Sequence, residues 1–423
     1  MYNVLIFPAG EMNAAETHTA LTHQVNVRVF GASSVERLGH HLFTRYRNDL
    51  PRISDPNFIH EFNSLLEAWQ IDVIIPTHDS VVTFLVGVSD QLSAKLLAPD
   101  RETADACRDK RLTYALFNDQ SFTPKCFEKG EIAEFPVFVK PAQGQGSVGA
   151  RLVADANDAH TIDWVNEIAC EYLPGDEVTV DCFTDRHGVL KGAFARTRER
   201  TLGGISVAGV ALPDDPEIQR IAETINDRLA FLGMWYLQAK RSATGEWKLL
   251  EISARCAGSQ CLTRATGINL PLLSVYAAMG RDVSIQRNSY NVRMDRLLTS
   301  RYDVDFDYDV VYIDFDDTIT CDGGVNPDIM RLVYQWRNDG KTIHLITRHA
   351  LEVYETLGSL GISKNLFTDI IHLRGGEPKA DSIDPTNAIF IDNAFSERQA
   401  VFDRYGIPVL DVDTTEILQH WKR

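Results

Sequence analysis

The stretch FPVFVKPAQGQGSVGA, residues 135–150, constrains this chain most. Val137 to Val139 read as a short buried strand that delivers Lys140 to its end and breaks at Pro141 into a loop holding Gly144, Gly146 and Gly149 around Ser147. Three glycines within six residues leave backbone amides uncovered, and a chain free to take positive φ can fold those amides over an anion. A lysine entering such a loop suits a polyphosphate. GxxxxGK followed by Ser or Thr is absent, so the P-loop reading fails; GQGSVG at 144–149 does spell GxGxxG, but without a helix pattern opening behind it that spacing alone is weak support for a dinucleotide site. A plain glycine turn after a strand would leave the same letters, and the decision passes to residues downstream.

At 423 residues the chain is too long for one ordinary core, and two or three domains are expected. A net charge of -17 argues against a nucleic-acid backbone or an anionic membrane as partner, since both need a basic footprint. Cysteines at 107, 126, 170, 182, 256, 261 and 321 form no CxxC pair and are odd in number, which reads as reduced thiols. Met1 leads directly into a strand, and no apolar run is long enough for a membrane span, so a cytoplasmic enzyme is expected. NVLIFPAG, VNVRVFGAS and IDVIIPTHD read as strands alternating with helical patterns such as IHEFNSLLEAWQ. That alternation implies a parallel α/β sheet with Gly10, Thr77 and Asp79 on the ligand side. Asp79 could equally be a helix N-cap before VVTFLV, and His78 reads as a loop residue.

DACRDKRLTYALFNDQSFTPKCF reads as one amphipathic helix followed by Thr123-Pro124. Within it Lys110 by itself would pass for a solvated helix lysine. Arg196, Arg198 and Arg200 fall at every second position, so on a strand they share one face, either a basic wall toward phosphate or a solvated edge, with Arg196 the best candidate for a role in the site. Gly203 and Gly204 suggest a mobile loop. WYLQAKRSATGEWKLLEISARCAGS reads as two strands joined by a TGE turn, which sets Gln238 opposite Glu251 across the ladder.

From Lys110 to Arg255 these features follow the order of the ATP-grasp superfamily, which the chain resembles. The resemblance implies that Lys110 and Lys140 bind nucleotide phosphates and that the loop of Gly144, Gly146, Ser147 and Gly149 closes over them. It further implies an adenine hinge at Glu171, Tyr172 and Leu173, ribose binding by Glu177, and magnesium binding by Gln238 and Glu251. Ser253 stands where asparagine is usual, so a second metal site rests on a weaker ligand. Arg255 takes the place of the phosphate-side arginine that stabilises a tetrahedral intermediate. The implied activity is ADP-forming ligation of a carboxylate to an amine through an acyl phosphate, as in short carbamoyl-phosphate-synthase-like proteins and amino-acid ligases.

Beyond a mixed-charge stretch, VVYIDFDDTIT resembles the first motif of the haloacid-dehalogenase (HAD) superfamily. In that resemblance Asp314 is the nucleophile, Asp316 the general acid and base, and Thr318 holds the turn. Thr347 in IHLITRH would donate to phosphate, Lys379 would balance its charge, and Asp314, Asp316 and Asp392 would surround magnesium, with Glu397 behind them. Asn393 replaces a frequent second aspartate. The short intervals between motifs leave no room for an inserted cap.

The expected fold is therefore α/β and multidomain: a Rossmann-like pre-ATP-grasp lobe (1–100), an α+β ATP-grasp domain (101–290), a linker (291–307) and a capless, doubly wound HAD-like phosphohydrolase domain (308–423). ATP and Mg2+, with Mn2+ as substitute, are the expected cofactors. Partners are a small-molecule carboxylate, an amine and a phosphorylated small molecule, and a homodimer is compatible with all of this. Two other functions fit the same letters: a small-molecule kinase with an editing phosphatase, and a regulatory protein whose HAD unit only binds phosphate.

Overall fold

Runs such as Val4 to Phe7 and Val73 to Ile75 are wholly apolar and buried, which suits parallel strands covered on both faces. In the computed structural model, which describes every residue except Glu36, Arg37, Gln145, Ser147, Trp421 and Arg423, they belong to the first sheet. Its strands are β1 (Tyr2–Phe7), β2 (Val27–Ala32), β3 (Tyr46–Arg47), β4 (Val73–Pro76) and β5 (Lys95–Leu96), ordered β3-β2-β1-β4-β5 with every pairing parallel. Helices Met12–Leu21, Phe58–Ala68 and Asp79–Gly87 fill the crossovers and bring Gly10, Thr77 and Asp79 to the carboxyl edge.

Four short strands follow, β6 (Cys126–Phe127), β7 (Val137–Pro141), β8 (Arg151–Val153) and β9 (Glu167–Glu171), in an antiparallel sheet ordered β6-β9-β7-β8. The chain then forms β10 (Glu177–Thr184), β11 (Leu190–Thr197), the hairpin of β12 (Arg200–Leu202) and β13 (Ile205–Val210), β14 (Gly233–Arg241), β15 (Trp247–Ser253) and β16 (Arg293–Asp295). The sheet β11-β10-β14-β15 is antiparallel throughout. Helix Pro216–Arg228 covers one face of it, burying Ile218, Ile221, Ala222 and Ile225 with Trp235, Leu237 and Trp247. Asp215 caps that helix by accepting from the Glu217 and Ile218 amides, with Pro216 at the first helical position.

Two expectations change here. The single helix expected through Lys110 is broken at Asp109, which lies extended between helices Arg101–Arg108 and Lys110–Leu116 and caps the second by accepting from Arg111 N–H. Arg293–Asp295, inside the stretch expected to be linker, is the strand β16 paired with β13. Val4 and Leu21 of the first lobe share one apolar cluster with Phe183, Met234 and Leu270. By compactness the chain separates into two units, one built on Met1–Leu298 and the other on Thr299–Trp421.

The second unit is a parallel sheet ordered β21-β20-β17-β22-β23, from β17 (Val310–Ile313), the small hairpin β18 (Thr320–Cys321) and β19 (Gly324–Val325), β20 (Thr342–Thr347), β21 (Asp369–His372), β22 (Ala388–Ile391) and β23 (Val409–Leu410). Between β17 and β20 lie only a single distorted turn, that hairpin and helix Pro327–Asn338, so no cap is inserted there. Ile329, Leu332, Val333 and Trp336 of the helix, all fully buried, pack on the sheet with Ile313, Phe315 and Leu345. Among the described residues of the whole chain, no helix is long and apolar enough to cross a membrane.

Candidate functional site

Strand β7 ends on Lys140, whose buried Nζ donates to Tyr114 Oη (2.7 Å) and to the Leu250 carbonyl (3.1 Å). Burial pushes its ammonium below the ordinary lysine value, and nearby Lys110 acts in the same direction. A buried cation hydrogen-bonded to neutral oxygens is short of counter-charge, which favours an incoming anion. Lys110, the first residue of its helix, sits with Nζ 3.9 Å from Glu251 Oε2 and 3.5 Å from the Gly144 carbonyl. Gln238 on β14 and Glu251 on β15 are direct register partners.

These groups meet on one cavity of ≈ 220 Å³, which Lys110, Lys140, Gly144, Gly146, Glu177, Gln238 and Glu251 line together with Arg198 and Gly204. A narrower, mostly apolar slot of ≈ 80 Å³ shares Phe138, Lys140, Glu177 and Leu250 with it and continues along Cys170, Glu171, Tyr172 and Leu173. Two glycine turns approach each other at the cavity: Gly146 (φ 65) and Gly204 (φ 77) pack so closely that a Cβ on Gly204 would lie 2.5 Å from Gly146 Cα. Arg198 ties that contact to the cavity floor. Its Nη2 donates to the Gly204 carbonyl (2.9 Å), and its Nε lies 2.6 Å from Glu177 Oε1.

Several residues singled out from sequence stand elsewhere. Gly149 (φ 79) turns the loop beside Pro141 and does not line either cavity, while Ser147 lies outside the described residues. The Glu171 side chain accepts from Lys125 N–H (2.8 Å), so its carboxylate fastens β9 to the segment entering β6. The three alternate arginines do not share a face, because β11 stops at Thr197. Arg196 is fully buried and pairs with Asp181 and Ser259; Arg198 reaches the cavity; Arg200 is exposed. Reaching Arg198 from sequence required the strand's end, which the spacing alone does not mark.

Ser253 and Arg255 also depart from expectation. Ser253 Oγ donates to Asp79 Oδ1 (2.6 Å) and Arg255 Nη2 to Asp79 Oδ2 (2.7 Å), so the serine is turned to a carboxylate of the first sheet and away from a metal-ligand role. Burial pushes the Asp79 carboxyl up, but Arg255 and the Ser253 hydroxyl outweigh it and hold the group below the usual carboxylate value. Asp79 is the first residue of helix Asp79–Gly87 and not its cap; its carboxylate joins the first sheet to β15.

In the second unit, the carboxyl ends of β17 and β22 present Asp314 and Asp392, both buried, and Lys379 Nζ lies 2.6 Å from a carboxylate oxygen of each. Burial, more than Lys379 can offset, pushes Asp314 up to about 6. Thr347 ends β20 fully buried, with its Oγ1 accepting from His349 N–H (3.0 Å), and Thr318 Oγ1 accepts from Asn393 N–H (3.2 Å). Glu397 pairs with Arg348. Asp316 departs from its expected metal role: its carboxylate, half exposed, pairs with His349 Nδ1 (2.8 Å) and makes no bond to Lys379. His349 was not singled out from sequence, since nothing in TRH marks it.

Both sites fit magnesium by their donors. An amide oxygen and a carboxylate face each other at Gln238 and Glu251, and two buried carboxylates converge at Asp314 and Asp392, all hard oxygen ligands.

Comparison with known proteins bears on the first of these units. Residues 164–298 match the family described as ATP-grasp in the biosynthetic pathway with Ter operon. A 3-methyl-D-ornithine–L-lysine ligase of Methanosarcina mazei is 29% identical over 210 residues, covering 47% of this chain and 53% of that protein. The chain spans little more than half the length of the curated relatives it matches. Among solved structures, a biotin carboxylase from Campylobacter jejuni in complex with β,γ-ATP aligns at a TM-score of 0.56 and 14% identity, over 68% of this chain and 74% of that one. An L-amino acid ligase from Bacillus licheniformis aligns at 0.53 and 16%, over 66% and 74%. At such identities the likeness establishes architecture. Residues 164–298 thus match an ATP-grasp family, and the chain shares its architecture over about two thirds of its length with these carboxylases and ligases.

Proposed function

We propose that residues 1–298 form an ATP-dependent ligase that joins a carboxylate to an amine through an acyl phosphate, and that residues 299–421 form a phosphohydrolase of the HAD type. The observation that carries the first half is the meeting of Lys110, Lys140, Glu177, Arg198, Gln238 and Glu251 on one cavity continuous in its lining with an apolar slot. In this reading adenine enters the slot beside Phe138 and Leu250, the ribose hydroxyls donate to Glu177, and the phosphates reach Lys140 and Lys110. Gln238 and Glu251 would hold magnesium, which when bound would supply the charge neutralisation that an anionic carboxylate needs near the γ-phosphorus. The glycine turns at 146 and 204 keep water from the acyl phosphate. Amino acids are the substrate class favoured by the similar proteins, a 3-methyl-D-ornithine–L-lysine ligase and an L-amino acid ligase.

For the second half, Asp314 attacks phosphorus at the sheet's carboxyl edge while Lys379 and the Thr347 hydroxyl hold the phosphoryl oxygens, and Asp316 moves the proton. Magnesium at Asp314 and Asp392 supplies further neutralisation of the phosphate when bound. The test uses the full chain with Mg2+. ADP release with ATP and pairs drawn from an amino-acid library should require two substrates and disappear in Lys140→Met and Glu251→Gln. Phosphate release from para-nitrophenyl phosphate should disappear in Asp314→Asn and persist in those two variants. ADP release that needs only one substrate would make the first unit a kinase, and unchanged release in Asp314→Asn would remove the hydrolase.

A further inference from the structure

Asp316 is the least confined of the acidic groups around the second site, with its side chain 49% exposed, yet its orientation matters most to proton transfer. The imidazole of His349 supplies the missing restraint. Nδ1 lies 2.8 Å from Asp316 Oδ1 and Nε2 lies 2.9 Å from Thr356 Oγ1, so each ring nitrogen has one partner. The ring is itself fixed: it meets the Phe315 ring edge to face at 5.1 Å, its residue's N–H donates to Thr347 Oγ1 (3.0 Å), and its carbonyl takes a bond from His372 Nε2 (2.8 Å). A side chain held from β20, β21 and helix Val353–Ser359 thus reaches across to the one carboxylate that solvent would otherwise let rotate.

We propose that His349 is a positioning residue that holds the Asp316 carboxyl toward the leaving-group oxygen. The inference rests on the phosphohydrolase reading above. In the first step the Asp314 carboxylate oxygen forms a bond to phosphorus, the bond from phosphorus to the leaving oxygen breaks, and that oxygen keeps the electron pair and takes the proton of Asp316. In the second, water attacks phosphorus, gives its proton to Asp316, and the bond from phosphorus to Asp314 breaks, releasing phosphate and restoring both groups. Both transfers depend on where the Asp316 carboxyl points, and His349 is the side chain bonded to it.

Proton donation matters for a basic leaving group and little for one that departs as a stable anion, which supplies a readout that a loss of packing would not give. The full chain with Mg2+ is assayed on phenyl phosphate and para-nitrophenyl phosphate. His349→Ala is expected to lower kcat/KM, which reports the steps through departure of the leaving group and not the hydrolysis common to both esters, by about a hundredfold on phenyl phosphate and to leave that for para-nitrophenyl phosphate within about threefold of wild type. His349→Asn, whose amide sits where Nδ1 stood, recovers most of the phenyl phosphate activity; His349→Gln, which reaches toward Thr356 instead, does not. Equal losses on both esters, or equal rescue by Asn and Gln, overturn the inference while Asp314→Asn still upholds the hydrolase. If wild type cleaves neither ester, the hydrolase reading falls and this inference with it.

Discussion

The pairing of Asp79 with Arg255 gives the sharpest quantitative expectation, because it joins residues 176 apart in sequence through one ion pair. The side chains are 18% and 11% exposed and the charged atoms 2.7 Å apart, so solvent screens the pair little. Truncating one partner of such a pair leaves the other charge buried and unmet, a loss of about 3 kcal/mol at the lower end of the usual range. Asp79→Ala and Arg255→Met should therefore each cost about 3 kcal/mol, and the double variant little more than either alone. The difference, a coupling energy of about 2 to 3 kcal/mol, is the value of the charge-assisted bond. Hydrogen exchange of peptides spanning β14 and β15 reads this in the first unit independently of the second, and each single variant should lose about a hundredfold in protection. The sign with pH follows from the carboxyl standing below its ordinary value of 3.8. The stabilisation is fully present above that value and disappears as the pH falls through the lowered pKa of the folded chain. Costs that add across the two variants would refute the pairing and return Asp79 to a helix-terminal role.

Gly204→Ala places a Cβ against the Gly146 backbone at positive φ, and should weaken binding of a non-hydrolysable ATP analogue by about tenfold in calorimetry. Gly188→Ala, at φ 78 with nothing within 4 Å, carries the same backbone cost without the contact and should bind as wild type does; equal behaviour of the two variants would show the crossing to be incidental. Burial pushes the Asp314 carboxyl up to about 6, so it is largely protonated at about pH 5 and must lose that proton to bind Mg2+. Mg2+ affinity should fall as pH drops through that range, and the proton release measured on adding Mg2+ in buffers of different ionisation enthalpy should be missing from Asp314→Asn.

The residues legible in the sequence are those whose roles follow from local order. Lys140 precedes a glycine loop because a strand must end before its amides can be exposed, and Gln238 faces Glu251 because a short turn fixes hairpin register. The same local logic carried the alternation of strands and helices in both units. It failed where an element's end decides a side chain's direction: Arg198 differs from Arg196 only in standing one residue past β11. The break at Asp109 was within reach, since an aspartate that accepts from the amide two residues on is a helix start signal even inside an amphipathic run. Ser253, Asp316 and Asp79 lay out of reach for a different reason. Each bonds a partner supplied by another strand or loop, Asp79 for Ser253, His349 for Asp316 and Arg255 for Asp79, and a lone sequence holds no record of those distances. The polar atoms that sequence reading assigns to a metal can thus be satisfied by protein, and at Ser253 the two outcomes differ in energy: a hydroxyl bonded to Asp79 Oδ1 is coupled to that carboxylate, whereas a hydroxyl on magnesium is not. A second cycle, with Ser253→Ala in place of Arg255→Met, decides between them, because only in the first case do the costs of the Asp79 and Ser253 variants fail to add.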